Sequence, residues 1–199
     1  MRYLTNSSSG AMGIALAQEA LRLGARVTLV LGPVPSPEPQ VKRGSRPSGL
    51  KTVHVISGWD MYQAVKKHLS GTEVFVGSAA VVDYRPASPL RQKIKRHKEA
   101  VTLKLYGNPD IIAMVGYLRK ARPRCVVGFA LETDHMLENA QQKLIRKRMD
   151  WIVANRESNM GQSQGAGTLL SRWGDRLDLK KMSKDRLARK IWQKILSSR

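Results

Sequence analysis

The chain has 199 residues, 42% of them apolar, with 35 Lys plus Arg against 15 Asp plus Glu, a formal net charge of +20. That length suits one globular domain, read here as residues 1–199, and the apolar share is enough for a buried core. The single cysteine excludes an internal disulfide and fits a reducing compartment, and Gln18, Glu19 and Arg22 break the longest apolar stretch, so neither a signal peptide nor a membrane span is expected. Cytoplasmic localisation is the expectation.

In chain order, Thr5–Gly13 is rich in hydroxyls and glycine and leads into a helical pattern over Ala11–Leu23. Val27–Leu31 reads as a strand. Gly32–Gly49, with five prolines, reads as a long surface loop. Strand Thr52–Ile56, helix Asp60–Leu69 and strand Val74–Gly77 follow. Tyr84–Ala100 is a basic excursion with a weak helical period, and Val101–Tyr106 has the character of a pairing strand. A helix over Pro109–Lys120, a strand at Cys125–Phe129, a helix over Asp134–Met149 and a strand at Trp151–Ala154 continue the alternation. A Gly/Ser/Gln-rich loop, a hairpin of Thr168–Trp173 with Arg176–Leu179 around Gly174-Asp175, and a terminal helix Lys184–Leu196 close the chain. Strand–helix alternation of this kind specifies an α/β fold, a Rossmann-like and mostly parallel sheet with helices on both faces.

Four constellations carry chemical interest. Thr5–Gly13 can cap a helix or hold an anion at its N-terminus, and only Gly10 and Gly13 fit a dinucleotide fingerprint. Gly77-Ser78-Ala79 ends a strand in small residues that let a ligand approach the backbone, with Asp83 following at the sheet's carboxyl end, either as a ligand contact or as a loop cap. Lys93-Ile94-Lys95-Arg96 is either a solvated basic loop or a source of charge beside a triphosphate. Lys143 and Lys147, four apart, share a helix face that could meet a phosphate or simply face water. Cys125, inside an apolar run, reads as a core residue. HExxH, GxSxG, Walker A and Cys/His cluster signatures are absent, and the histidines lack ligand spacing.

Taken together, RYLTNSSSGAMG, VTLVLGPV, GSAAVVDYRP, KIKR, NPDI, VVGFALET, the QKLIRK helix and DWIVAN resemble, in order and spacing, the phosphopantothenate–cysteine ligase family. That family is the second half of the bacterial bifunctional coenzyme A biosynthesis protein. The resemblance implies a Rossmann-like homodimer using CTP and Mg²⁺. The carboxylate of 4′-phosphopantothenate attacks the α-phosphate, pyrophosphate leaves, and the cysteine amine then displaces CMP to form the amide. By position, Asn6 and Lys93 match the catalytic asparagine and lysine. Gly77, Ser78, Ala79, Asp83, Asn108, Pro109, Asp110, Ile111, Phe129, Lys143 and Lys147 match nucleotide contacts, and Ser8, Ser9 and Gly10 match phosphopantothenate contacts.

The chain departs from the family pattern at Ser7, Ala11 and Arg156, where histidine, lysine and aspartate are usual. Members also begin about twenty residues earlier, with a strand and a Gly-Gly-Thr-like loop. This chain is therefore expected to lack the family's first strand, through a late start or as a fragment, which would leave a gap in the sheet. An inactive remnant is one alternative. An NADP-dependent Rossmann reductase lacks a clean GxGxxG and an evident Tyr-x-x-x-Lys pair. Nucleic-acid binding through the +20 charge is disfavoured by 6% aromatic content and the lack of an RNA-binding signature.

Overall fold

The computed structural model describes residues 4–39, 49–87, 102–132, 134–156 and 164–198. The alternation read from the sequence is present. Helix α1 (Ala11–Arg22) leads to strands β1 (Val27–Leu31) and β2 (Leu50–His54), then α2 (Gly58–His68) and β3 (Val74–Gly77). A short ribbon, β4 (Tyr84–Pro86) and β5 (Leu105–Gly107), precedes α3 (Ile111–Gly116), β6 (Cys125–Glu132), α4 (Met136–Arg146) and β7 (Trp151–Arg156). The chain closes with β8 (Gln164–Ser171), β9 (Arg176–Ser183) and α5 (Lys184–Ser197).

The main sheet has the order β3-β6-β7-β8-β9, parallel from β3 to β7 and antiparallel beyond. β6 is almost wholly buried because helices cover both faces, which is why its apolar run is continuous rather than alternating. Period-two alternation still sorts its neighbours: Val74 and Val76 of β3 join α1 and α5 on one face, whereas Phe75 joins α3 and α4 on the other. The first layer contains Leu16, Trp151, Leu169, Ile191 and Ile195, and the second contains Val115, Val126, Leu144 and Ile152. Trp192 Nε1 donates to the Leu16 carbonyl at 3.0 Å, so the indole that fastens α5 to α1 leaves no polar atom unsatisfied.

β1 and β2 form a separate parallel pair. Val27 packs in the first layer and Val30 in the second, so β1 shares both helical layers with β3 without being hydrogen-bonded to it. Some boundaries move for identifiable reasons. β2 runs from Leu50 rather than Thr52 because its register pairs Leu50 with Val27. The helix expected over Pro109–Lys120 is confined to α3, capped by the Asp110 side chain. It ends where the Gly116 backbone packs against the Lys147 carbonyl, a site with no room for a Cβ. Arg148, at φ 51°, stops the helix expected to reach Met149. The Val101–Tyr106 expectation resolves into β5, which pairs with β4 of the same chain. Among the described residues, no helix is long and apolar enough to cross a membrane.

A buried carboxylate ties the start of β6 to the start of β7. Asp150, 3% exposed, accepts from the Val126 amide and the Arg122 guanidinium, both at 2.8 Å, and lies 3.6 Å from Arg172. Asp150→Ala leaves Arg122 and the Val126 amide without their acceptor. It is expected to cost about 3–5 kcal/mol, read as a lower urea midpoint; a loss under about 1 kcal/mol would show that the pair is structurally idle.

Candidate functional site

Several of the residues singled out from the sequence lie together at the carboxyl ends of the parallel strands. Gly10 precedes α1 with φ 73° and has Val34 side-chain atoms 2.8–3.0 Å from where a Cβ would stand. Only glycine meets both conditions. The Ser8 and Ser9 hydroxyls accept from the Gly10 and Ala11 amides at 3.3 and 3.4 Å, a turn that orders the loop. α1 itself has no side-chain N-cap, so the capping alternative for Thr5–Gly13 takes the form of this serine turn.

The same helix start lies against the end of β3. A Cβ on Gly13 would come within 2.8 Å of Ser78 Oγ, and one on Gly77 would meet Ile112 Cγ1 at 2.8 Å. Asn6 Nδ2 donates to the Val81 carbonyl at 3.4 Å, fastening the loop before α1 to the segment after β3. Asn6, Ser78, Gly77 and Ile112 are thereby neighbours although up to 106 positions separate them in sequence. Ala79 and Asp83 are exposed, and the Asp83 carboxylate has no partner among the described residues.

Asn108 proves to be a brace. Its Nδ2 donates to the Val82 carbonyl at 2.9 Å, its backbone amide to the Asp83 carbonyl at 2.7 Å, and its Oδ1 accepts from Arg85 at 3.1 Å. Arg85 in turn stands 5.2 Å from the centroid of Trp59, which stacks on Tyr62. Pro109 is half-buried between this brace and Asp110, the α3 cap, which accepts from the Ala113 amide at 2.9 Å. Phe129 is half-buried on β6 and packs into the first layer.

Both lysines are engaged with carboxylates. Lys143 Nζ pairs with Glu132 at 2.5 Å and Lys147 Nζ with Asp110 at 2.8 Å. An incoming phosphate would have to share or displace these partners. Burial raises the pKa of Asp110, but the Lys147 hydrogen bond, the Ala113 amide and the nearby charges of Lys147 and Arg146 outweigh it and leave the carboxyl below its ordinary value. Glu132 and Arg85 lie within motifs quoted above but were given no role. Their sequence signals are an acid closing a buried apolar strand and an arginine two residues after Asp83. Lys93 and its KIKR run lie outside the described residues.

Among the described residues, no group of three or more His, Cys, Asp or Glu could hold a metal by itself. Mg²⁺ does not need such a cage, since it keeps several waters and binds through one or two carboxylates together with substrate phosphates. The unpartnered Asp83 carboxylate fits that mode.

The sheet, its helical layers and the convergence at the strand ends define a Rossmann-like α/β domain with its candidate site at the usual carboxyl edge. The chain belongs to the family described as the DNA/pantothenate metabolism flavoprotein C-terminal domain, which it matches over residues 1–198. The resemblance read from the motifs is borne out. The chain is 43% identical over 194 residues to the coenzyme A biosynthesis bifunctional protein CoaBC of Vibrio cholerae serotype O1, covering 94% of this chain and 46% of that protein. It thus spans about half the length of that relative. The crystal structure of the C-terminal domain of a CoaBC protein superposes with a TM-score of 0.77 at 33% identity, covering 98% of this chain and 85% of that one. A Cab2 mutant in complex with phosphopantothenate-cysteine superposes with a TM-score of 0.69 at 18% identity, covering 98% and 80%, and shows likeness of fold alone.

A carboxyl with a depressed folded pKa stabilises the fold above the unfolded carboxylate range, and that contribution is lost as pH falls through the folded value. Asp110→Ala is therefore expected to cost about 1 kcal/mol near neutrality through loss of the cap. The gap from wild type should narrow below about pH 4 in denaturation curves taken across pH. A gap that stays constant to pH 2 would show that the Lys147 pair contributes nothing.

Proposed function

We propose that residues 1–199 form a single ligase domain that activates 4′-phosphopantothenate with CTP and couples it to cysteine, releasing pyrophosphate and CMP and forming 4′-phosphopantothenoylcysteine. The observation that carries this reading is the juxtaposition of Asn6 with the Val81 segment and of Gly13 with Ser78 at the end of β3, in a chain that matches the family throughout. In this reading the loop that takes the acid substrate lies beside the strand end that takes the nucleotide.

In this reading a free carboxylate, a poor acyl donor, becomes a mixed anhydride with a good leaving group. Its oxygen attacks the α-phosphorus as the bond to pyrophosphate breaks. The cysteine amine then attacks the acyl carbon, CMP departs, and the amine loses a proton. The Asn6 amide orients the acyl carbonyl and stabilises its developing negative charge, and Lys93 supplies a cation near the α-phosphate. Gly77, Ser78 and Ala79 let the nucleotide lie against backbone. Asp110, Ile111 and Phe129 border it, while Lys143 and Lys147 exchange their carboxylate partners for phosphate oxygens. Asn108 contributes by holding the Val82–Asp83 turn through its side-chain amide and its backbone N–H. Mg²⁺, held through Asp83 and the phosphates, would offset charge on the triphosphate. Ser8, Ser9 and Gly10 receive phosphopantothenate. The proposed setting is the cytoplasm.

A homodimer is part of the proposal. The β4–β5 ribbon exposes Tyr84, Leu105 and Tyr106, with Leu103 and Trp59 nearby, more large apolar surface than a short ribbon ordinarily leaves to solvent.

The direct test is CTP-dependent pyrophosphate release with 4′-phosphopantothenate and Mg²⁺, with and without cysteine. Cysteine-stimulated release with CMP and the amide as products is expected, and no release from folded protein would count against the assignment. Lys93→Gln should slow pyrophosphate release on the order of 10²-fold while largely sparing nucleotide affinity; normal turnover would remove Lys93 from the mechanism. Asn6→Asp should accumulate acyl-nucleotide in quenched reactions, and finding none would contradict the role given to Asn6.

A further inference from the structure

The end of the molecule remote from this site has a composition that the ligase reading does not use. Leaving aside Lys147, which pairs with Asp110, segments 117–124, 146–150 and 171–176 hold eight Lys or Arg and two Asp. The topology brings them together at the amino ends of the parallel strands: the first two precede β6 and β7, and Ser171 is the register partner of Trp151. Most are arginines, whose planar fork suits phosphate oxygens better than a lysine point charge does.

Contacts run without interruption across this end. Arg148 lies 4.6 Å from the centroid of Tyr117, and its carbonyl accepts from Arg122 at 2.7 Å. Arg122 meets Asp150 at 2.8 Å, Arg172 lies 3.6 Å from the same carboxylate, and the Arg172 guanidinium stands 5.8 Å from the centroid of Trp173. The strip therefore has an aromatic ring at each end and guanidinium groups between. Tyr117 is 50% exposed and Trp173 64%, so both rings are open to a ligand. Its two acids are already matched, Asp150 by Arg122 and Asp175 by Lys194 at 2.8 Å. Arg119, Arg124 and Arg146 are exposed and have no carboxylate within salt-bridge distance among the described residues.

We propose that this strip is a second binding surface, distinct from the ligase site, and that it takes single-stranded nucleic acid. Tyr117 and Trp173 offer faces on which bases stack, and the arginines between them meet the backbone phosphates. Overall aromatic content argues against nucleic acid in the sequence, but a stacking platform needs only a few exposed rings beside cations, and folding supplies that placement. An anionic membrane or a featureless polyanion would use the charge and leave the rings idle.

Fluorescence anisotropy of labelled 20-nucleotide oligo(dT) and oligo(U) tests the surface, with duplex DNA, inorganic polyphosphate and phosphatidylglycerol vesicles as competitors. Trp173→Ala and Tyr117→Ala should each weaken single-strand binding roughly tenfold at fixed salt with pyrophosphate release unchanged, and Tyr117→Phe, which loses only the hydroxyl bond to the Arg146 carbonyl, should bind as the wild type does. The double change Arg119→Gln with Arg124→Gln should lower the slope of log affinity against log salt by roughly 1 to 1.5. Unchanged affinity in both aromatic variants, equal competition by polyphosphate at matched charge, or binding to vesicles alone would each overturn the proposal. None of these outcomes depends on whether the chain has ligase activity.

Discussion

Close backbone approach at three glycines is the constraint on which the candidate site depends. Gly10, Gly13 and Gly77 each stand where a Cβ would come within 2.8 Å of Val34, Ser78 or Ile112. Those contacts draw the loop before α1, the residues after β1, the end of β3 and the start of α3 onto one another. Gly10 bears the stronger constraint, because its φ of 73° penalises any side chain even where space could be made. Ser78 could turn its hydroxyl aside, so Gly13 is the more forgiving of the three. The outcome is a meeting of amides, hydroxyls and small residues at the carboxyl edge of a parallel sheet, where α/β folds place their ligands.

The opposite edge is organised around a charge. Asp150 holds Arg122, Arg172 and the Val126 amide, and so fixes the starts of two parallel strands and the turn between β8 and β9. One sheet thus separates two electropositive regions of different character. At the carboxyl end the two lysines are neutralised by Glu132 and Asp110 and become available only by exchange, whereas at the amino end several guanidinium groups have no acid to meet among the described residues. The +20 charge is spread along the sequence but falls into two distinct electrostatic settings once folded.

Local patterning made the alternation legible. Val74–Gly77 reads as a strand from four apolar or small residues, and the hairpin around Gly174-Asp175 reads from its turn chemistry. Tertiary contacts were not legible. α3 is half the expected length because Gly116 meets the Lys147 carbonyl, a contact made across 31 positions. The carboxylate partners of Lys143 and Lys147 come from different strands and loops, and helical spacing alone says only that the two lysines share a face. Asn108 was legible as a site residue by motif, but its use as a brace between Val82, Asp83 and Arg85 is a three-dimensional fact. Nor could the overall aromatic fraction show that Tyr117 and Trp173 flank a run of arginines.

The proposed function requires that nucleotide bind at the carboxyl ends of β3 and β6. Titrating CTP with Mg²⁺ into isotopically labelled protein, and following backbone amide shifts by NMR, tests it most directly. Saturable shifts are expected at Gly10, Gly77–Ala79, Asp110, Ile111 and Phe129, with Arg119, Arg124 and Trp173 undisturbed. Shifts confined to Tyr117, Arg148 and Trp173, with the strand-end glycines unmoved, would contradict it.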